Sequence, residues 1–184
     1  MKATASLVLP FSALLVATVL PAGDVHSEEL LTQIVGQPSP DSERRITLAG
    51  DWQVDCERTG GEESCRMSTN GSGKSADGRV MTVQLASASA DVSNGLFFFL
   101  TPLDLLVAQG ARMRVDQGSE AKLAYRSCHA QGCVVPFRLT STLEKSFGRG
   151  TQINLRLYEI DGSTIDVKLS LIGFVAASQT MRQH

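Results

Sequence analysis

Apolar and polar residues alternate with a period of two along most of the chain beyond residue 50, the pattern of half-buried strands. Residues 51–56 set Trp52, Val54 and Cys56 against Gln53 and Asp55, and 64–69 read as the return strand across a loop holding Gly60, Gly61 and Glu62. Further strands are predicted at 80–85, 96–100, 111–116, 122–128 and 133–139. Residues 151–160 then meet 164–171 across Asp161-Gly162, a hairpin signal. In 96–100 (LFFFL) adjacent Phe side chains must point to opposite faces, which predicts a strand covered on both sides. Helix is scarce: 140–147 supplies a turn or two, and the tail after Ser170 sets Phe174, Ala177 and Met181 on one face of a terminal helix. Roughly nine short strands with closely spaced turn signals predict an all-β domain, an antiparallel β-sandwich with a short C-terminal helix.

The chain before this domain reads differently. Met1-Lys2 is a short positive start, 7–20 is an apolar run, and small residues follow, the layout of a signal peptide over residues 1–27. Cleavage after Ala22 and cleavage after Ser27 both fit. The run is broken by Pro10 and is too short to cross a bilayer, which takes about 20 residues. Residues 28–46 carry charges, two prolines and one short apolar patch, and read as a flexible arm ahead of a single domain over 47–184. These features predict export to the periplasm, with outer-membrane association or secretion beyond it, and no transmembrane segment in the mature chain.

Export gives the cysteines their meaning. Cys56 and Cys65 form one close pair and Cys128 and Cys133 another, in a compartment where disulfides persist. Four cysteines allow three connectivities, and pairing within each local pair is the simplest. The eight-residue spacer between Cys56 and Cys65 does not suit a zinc ribbon, so no metal is expected. The 17 basic and 19 acidic residues are interspersed and sum to a net charge of −2, which argues against nucleic acid as a partner.

The order of several short motifs resembles the invasion-associated locus B family of exported bacterial proteins. They run from Trp52-x-Val54-x-Cys56 through Cys65, Pro102, Leu106-Val107-x-x-Gly110 and Val115-Asp116. Tyr125-x-x-Cys128-x-x-x-Gly132-Cys133 and Leu169-Ser170-Leu171-x-Gly173-Phe174-x-x-Ala177 complete the series. The resemblance spans 51–181 and implies a compact β-rich exported domain, associated in some pathogens with entry into host cells. It implies no catalytic constellation.

The remaining motifs favour plain readings. Gly71-Ser72-Gly73-Lys74-Ser75 lacks the first glycine of a phosphate loop, that position being Ser68, and leads into a strand. Residues 69–78 therefore read as a flexible hairpin loop whose shortening leaves the thermal midpoint nearly unchanged. Asn70-Gly71-Ser72 also matches a short glycosylation acceptor pattern. His129 is the single histidine inside the domain, with His26 and His184 outside its body, and it sits in a tight turn between paired cysteines. Asp104, Asp116, Asp161 and Asp166 are scattered, and no two stand out as a catalytic pair.

The expected activity is therefore binding rather than catalysis, with no cofactor and with a protein or cell-envelope component as the unknown partner. The candidate binding loops are 59–64, 69–78 and 129–132, with Asn70, Lys74 and His129 as their named candidates. The competing expectation is a periplasmic small-ligand binding module, which requires an apolar or charged concave pocket.

Overall fold

The computed structural model describes residues 43–87, 92 and 95–183. The segment read as a signal peptide, its two candidate cleavage positions, most of the segment read as an arm, His26 and His184 lie outside them. The strands are β1 (Glu43–Ala49), β2 (Trp52–Thr59), β3 (Glu62–Lys74), β4 (Val80–Ser87), β5 (Leu96–Thr101) and β6 (Ala111–Val115). They continue with β7 (Ala121–Leu123), β8 (Ser127–His129), β9 (Gly132–Arg138), β10 (Gln152–Tyr158) and β11 (Thr164–Ser170). Among the described residues, two α-helices, α1 (Ser141–Arg149) and α2 (Phe174–Arg182), and a 3-10 turn (Val107–Gln109) complete the set. The architecture is the expected one, an antiparallel, sandwich-like all-β fold with a short C-terminal helix.

The strands hydrogen-bond in the order β7-β6-β10-β11-β3-β4-β5-β9-β8, with the β1–β2 hairpin joined to β3 through β2. Two differences raise the strand count above nine. β1 begins at Glu43, inside the segment read as a flexible arm, and pairs with β2 from Glu43↔Arg58 to Ala49↔Trp52. The predicted strand 122–128 splits in two: β7 pairs with β6, while β8 pairs with β9 at the other end of the order.

The largest correction concerns 69–78. Residues 69–74 form no loop; they continue β3, pairing with β4 from Ser68↔Ala86 to Lys74↔Val80. The first half of β3 pairs with β2, and its second half meets β11 at Gly71↔Leu169 and Ser72↔Lys168. Glycine is required there by close approach. A Cβ on Gly71 would lie 2.3 Å from the Lys168 carbonyl oxygen, and one on Gly73 would lie 2.5 Å from that of Asp166. Glycines inside a strand mark such approaches. The true turn is short: the Ser75 amide donates to the Arg79 carbonyl at 3.0 Å, and the Gly78 amide to that of Ser75 at 3.0 Å.

Burial in β5 also departs from expectation. Phe97, Phe99 and Thr101 are buried, whereas Phe98 and Leu100 are half-buried and Leu96 is exposed, so one face alone meets the core. The core is organised by a run of aromatic contacts. Phe137 stacks on Phe99 with ring centroids 5.1 Å apart and lies 6.3 Å from Phe147. Phe147 meets Phe174 edge-on at 5.3 Å, and Phe174 meets Trp52 in the same way at 5.3 Å. Both helices are thus fastened through their apolar faces. α1 begins where the Thr140 hydroxyl accepts from the Leu143 amide at 3.3 Å, a side-chain N-cap. α2 begins at Gly173, whose φ of +95° turns the chain off β11 and seats Phe174, Ala177 and Met181 against the sheet.

Candidate functional site

Both expected cysteine pairs form. Cys56 is bonded to Cys65 and Cys128 to Cys133, each pair directly opposite across an antiparallel ladder with Cα atoms 4.0 Å apart. Cys56, Cys65 and Glu63 lie close enough together to suggest metal ligands. Their chemistry is already committed, since the two sulfurs bond each other and Glu63 pairs with Arg45 at 3.0 Å and Arg58 at 3.6 Å.

The sequence candidates do not converge on one place. Asn70 is exposed on β3, beside a shallow polar hollow of about 510 Å³ that Ser72, Thr82 and Lys168 also line. Lys74 is exposed at the end of the same strand, opposite Val80, so both residues belong to a ladder rather than to a binding loop. His129 is exposed at the end of β8, opposite Gly132, with β4, β5 and β9 lying between β8 and β3 in the sheet. Residues 59–64 reduce to a two-glycine hairpin turn flanked by Thr59↔Glu62.

Three of the four aspartates noted in the sequence serve the fold, whereas Asp104 is exposed at a φ of +64°. Asp116, at a φ of +45°, accepts from the Thr151 hydroxyl at 2.7 Å and from the Thr151 and Gln152 amides at 3.1 Å. These donors, the Thr151 hydroxyl foremost, hold its pKa below the ordinary aspartate value. Asp166 is gripped by both ends of the Arg156 guanidinium at 2.7 and 3.0 Å, which likewise lowers its pKa. Asp161 caps its own turn through Ser163, and that hydrogen bond lowers its pKa. Glu159 accepts from Arg79 at 3.1 Å and from the Ser163 hydroxyl at 2.8 Å. Each is spent on a turn, a junction or a cross-strand pair.

A larger concave feature among the described residues lies elsewhere, along the seam where the sheet fails to close. β7 comes within 8 Å of β9, Cα to Cα, yet the two do not pair. Two adjoining hollows of about 680 and 630 Å³ run along this seam under α1 and share Met113, Ala121, Thr140 and Leu143. The floor of the larger is apolar, with Leu123, Tyr125, Pro136 and Phe137, and its rim carries Lys122, Arg126 and Arg138. The smaller adds Arg114, Arg149 and the committed Asp116. Five cations therefore face one carboxylate, on a chain whose net charge is −2. Lys122, Arg126, Arg114 and Arg149 make no ion pair among the described residues. The Arg114 Nε is buried without a hydrogen-bond partner, and burial raises the Tyr125 pKa above its ordinary value, partly offset by the Thr101 hydroxyl beside it.

Sequence reasoning missed this groove because 122–128 reads as one continuous strand. The signal was there in Lys122, Leu123, Tyr125 and Arg126, where basic residues flank apolar ones beside Gly118 and Pro136.

Comparison with known proteins gives a consistent picture. The family model described as Invasion associated locus B (IalB) protein matches residues 52–182. Two invasion protein B homologs of Brucella abortus, from strain 2308 and from biovar 1 strain 9-941, are each 29% identical over 128 residues. Each alignment covers 69% of this chain and 73% of the homolog. The crystal structure of invasion associated protein B from Bartonella henselae superposes with a TM-score of 0.62 at 20% identity, covering 76% of this chain and 95% of that one. That likeness is one of fold.

Proposed function

Because the chain belongs to the invasion associated locus B family, we propose that it is an exported, non-enzymatic protein that works by contact with protein or cell-envelope components, in the setting of host-cell invasion. The observation that carries this reading is the seam groove, an apolar floor under a cationic rim on which Lys122 and Arg126 make no ion pair among the described residues. A surface of that kind suits binding. Asp116, Asp161 and Asp166, which could otherwise serve acid–base chemistry, are engaged in turns and cross-strand pairs. The two disulfides and the N-terminal signal pattern support an oxidising, extracytoplasmic location. No helix among the described residues is long and apolar enough to cross a membrane.

The test is to produce the full chain with its leader, fractionate the cells, and crosslink intact cells before extraction. The reading expects processed protein outside the cytoplasm, crosslinked to envelope material, and no turnover of ester, glycoside or peptide substrates by the purified protein. Turnover abolished by changing His129, Asp104 or Asp116 would reverse it. The same groove favours a second reading, a small-ligand binding module, since it is concave, apolar and charged.

A further inference from the structure

We propose that the seam groove binds a long-chain fatty acid, with its carboxylate at Lys122 and Arg126 and its acyl chain laid over Leu123, Phe137 and Leu143 toward Met113. This deepens the binding reading by naming the ligand class. Charge complementarity selects an anion: the larger hollow has three cations on its rim and no carboxylate in its lining. Arg138 on that rim has an interaction of its own, so Lys122 and Arg126 are the cations assigned to the head group. The floor selects an apolar body, because Phe137 and Met113 form its base while Leu123 and Leu143 are left only half-covered. Volume fits as well, since each hollow lies within the roughly 300–1,000 Å³ usual for small-molecule sites.

The seam itself argues against a peptide strand as occupant. Inserting one between β7 and β9 needs two strand spacings, about 9.5 Å, and these strands approach within 8 Å. β9 also presents Pro136, which has no amide hydrogen to offer a ladder, and β7 is only three residues long. An acyl chain needs no backbone partners. It requires apolar cover along its length and one place for its charge, and the joined hollows supply both.

The experiment titrates the purified, disulfide-intact protein with cis-parinaric acid, an intrinsically fluorescent long-chain fatty acid, and with its methyl ester. Saturable binding at a single site per chain is expected, with the ester and the K122E/R126E double variant each at least about tenfold weaker. Both cations are exposed, so the double variant should keep its circular dichroism spectrum and thermal midpoint. Leu143→Gln should weaken acid and ester alike, because it changes the floor and leaves the charge. Absence of saturable binding would overturn the proposal, as would equal affinity of the double variant and wild type. Binding to anionic vesicles alone, or displacement of the probe only by an acidic amphipathic peptide, would overturn it too. Envelope crosslinking is read separately: crosslinks without fatty-acid binding remove the ligand assignment and leave the contact reading standing, and fatty-acid binding without crosslinks does the reverse.

Discussion

The Cα of Gly71 on β3 packs against the Lys168 carbonyl of β11 so tightly that a Cβ on it would lie 2.3 Å from that oxygen. This contact joins the β7-β6-β10-β11 half of the sheet to β3, since β11 meets β3 at only two residue pairs.

Gly71→Ala should therefore destabilise the protein by about 1–3 kcal/mol, the usual cost of forcing extra volume into a packed site. Ser72→Ala, exposed on the same strand, should stay within about 0.5 kcal/mol. Urea denaturation of both variants checks this. Shortening the chain within 69–74 should lower the thermal midpoint sharply, contrary to the expectation for a free loop, because it removes the ladder with β4.

Phe174→Ala should cost about 3–5 kcal/mol. The ring is 2% exposed and lies edge-on to both Trp52 and Phe147, so its loss opens a cavity between the two helices and the sheet. Trp52 is the sole tryptophan and reports on this directly. Its emission should shift to longer wavelength in the variant, and a loss of under about 1 kcal/mol would show that the ring carries little of the core.

Most of the fold was legible because one-sided burial writes a period of two into the sequence. Trp52, Val54, Leu155, Leu157 and Val167 all alternate and are all fully buried. Gly173-Phe174 was legible for a related reason, a flexible residue followed by a large apolar one at the end of a strand. Gly71 and Gly73 misled because a glycine needed for close approach looks, in sequence, like a glycine needed for freedom. Phe98 misled because a run of three aromatics hides which face the core takes. The groove is a tertiary feature, formed where β7 and β9 fail to pair, and no local pattern announces two strands that approach without bonding.

Acid should expose the role of Asp116. Its folded-state pKa lies below the ordinary value because the Thr151 hydroxyl and two backbone amides hold the carboxylate charged. A depressed pKa contributes stability that is present above the unfolded carboxylate value and lost as pH falls through the folded one. Asp116→Asn, which tolerates the same positive φ, should thus be less stable than wild type at about pH 7. The gap should narrow at about pH 2, as the carboxylate takes up its proton. Thermal melts at both values test it; a gap independent of pH would mean the carboxylate charge contributes nothing.

Non-reducing peptide mapping should recover Cys56 linked to Cys65 and Cys128 linked to Cys133. Replacing the first pair with alanine should cost about 2.7 kcal/mol and the second about 2.2, from loop closure in the unfolded chain. A recovered Cys56–Cys128 peptide would contradict the pairing.

Site-specific photocrosslinking in intact cells tests directly whether the seam groove is the working surface. A photoreactive residue is placed at Ala124, on the groove, and in a second protein at Glu57, exposed on β2 away from it. The account predicts strong crosslinks to envelope material from position 124, lost in the K122E/R126E background, and little from position 57. Equal crosslinking from both positions, or crosslinking from 57 alone, would contradict it.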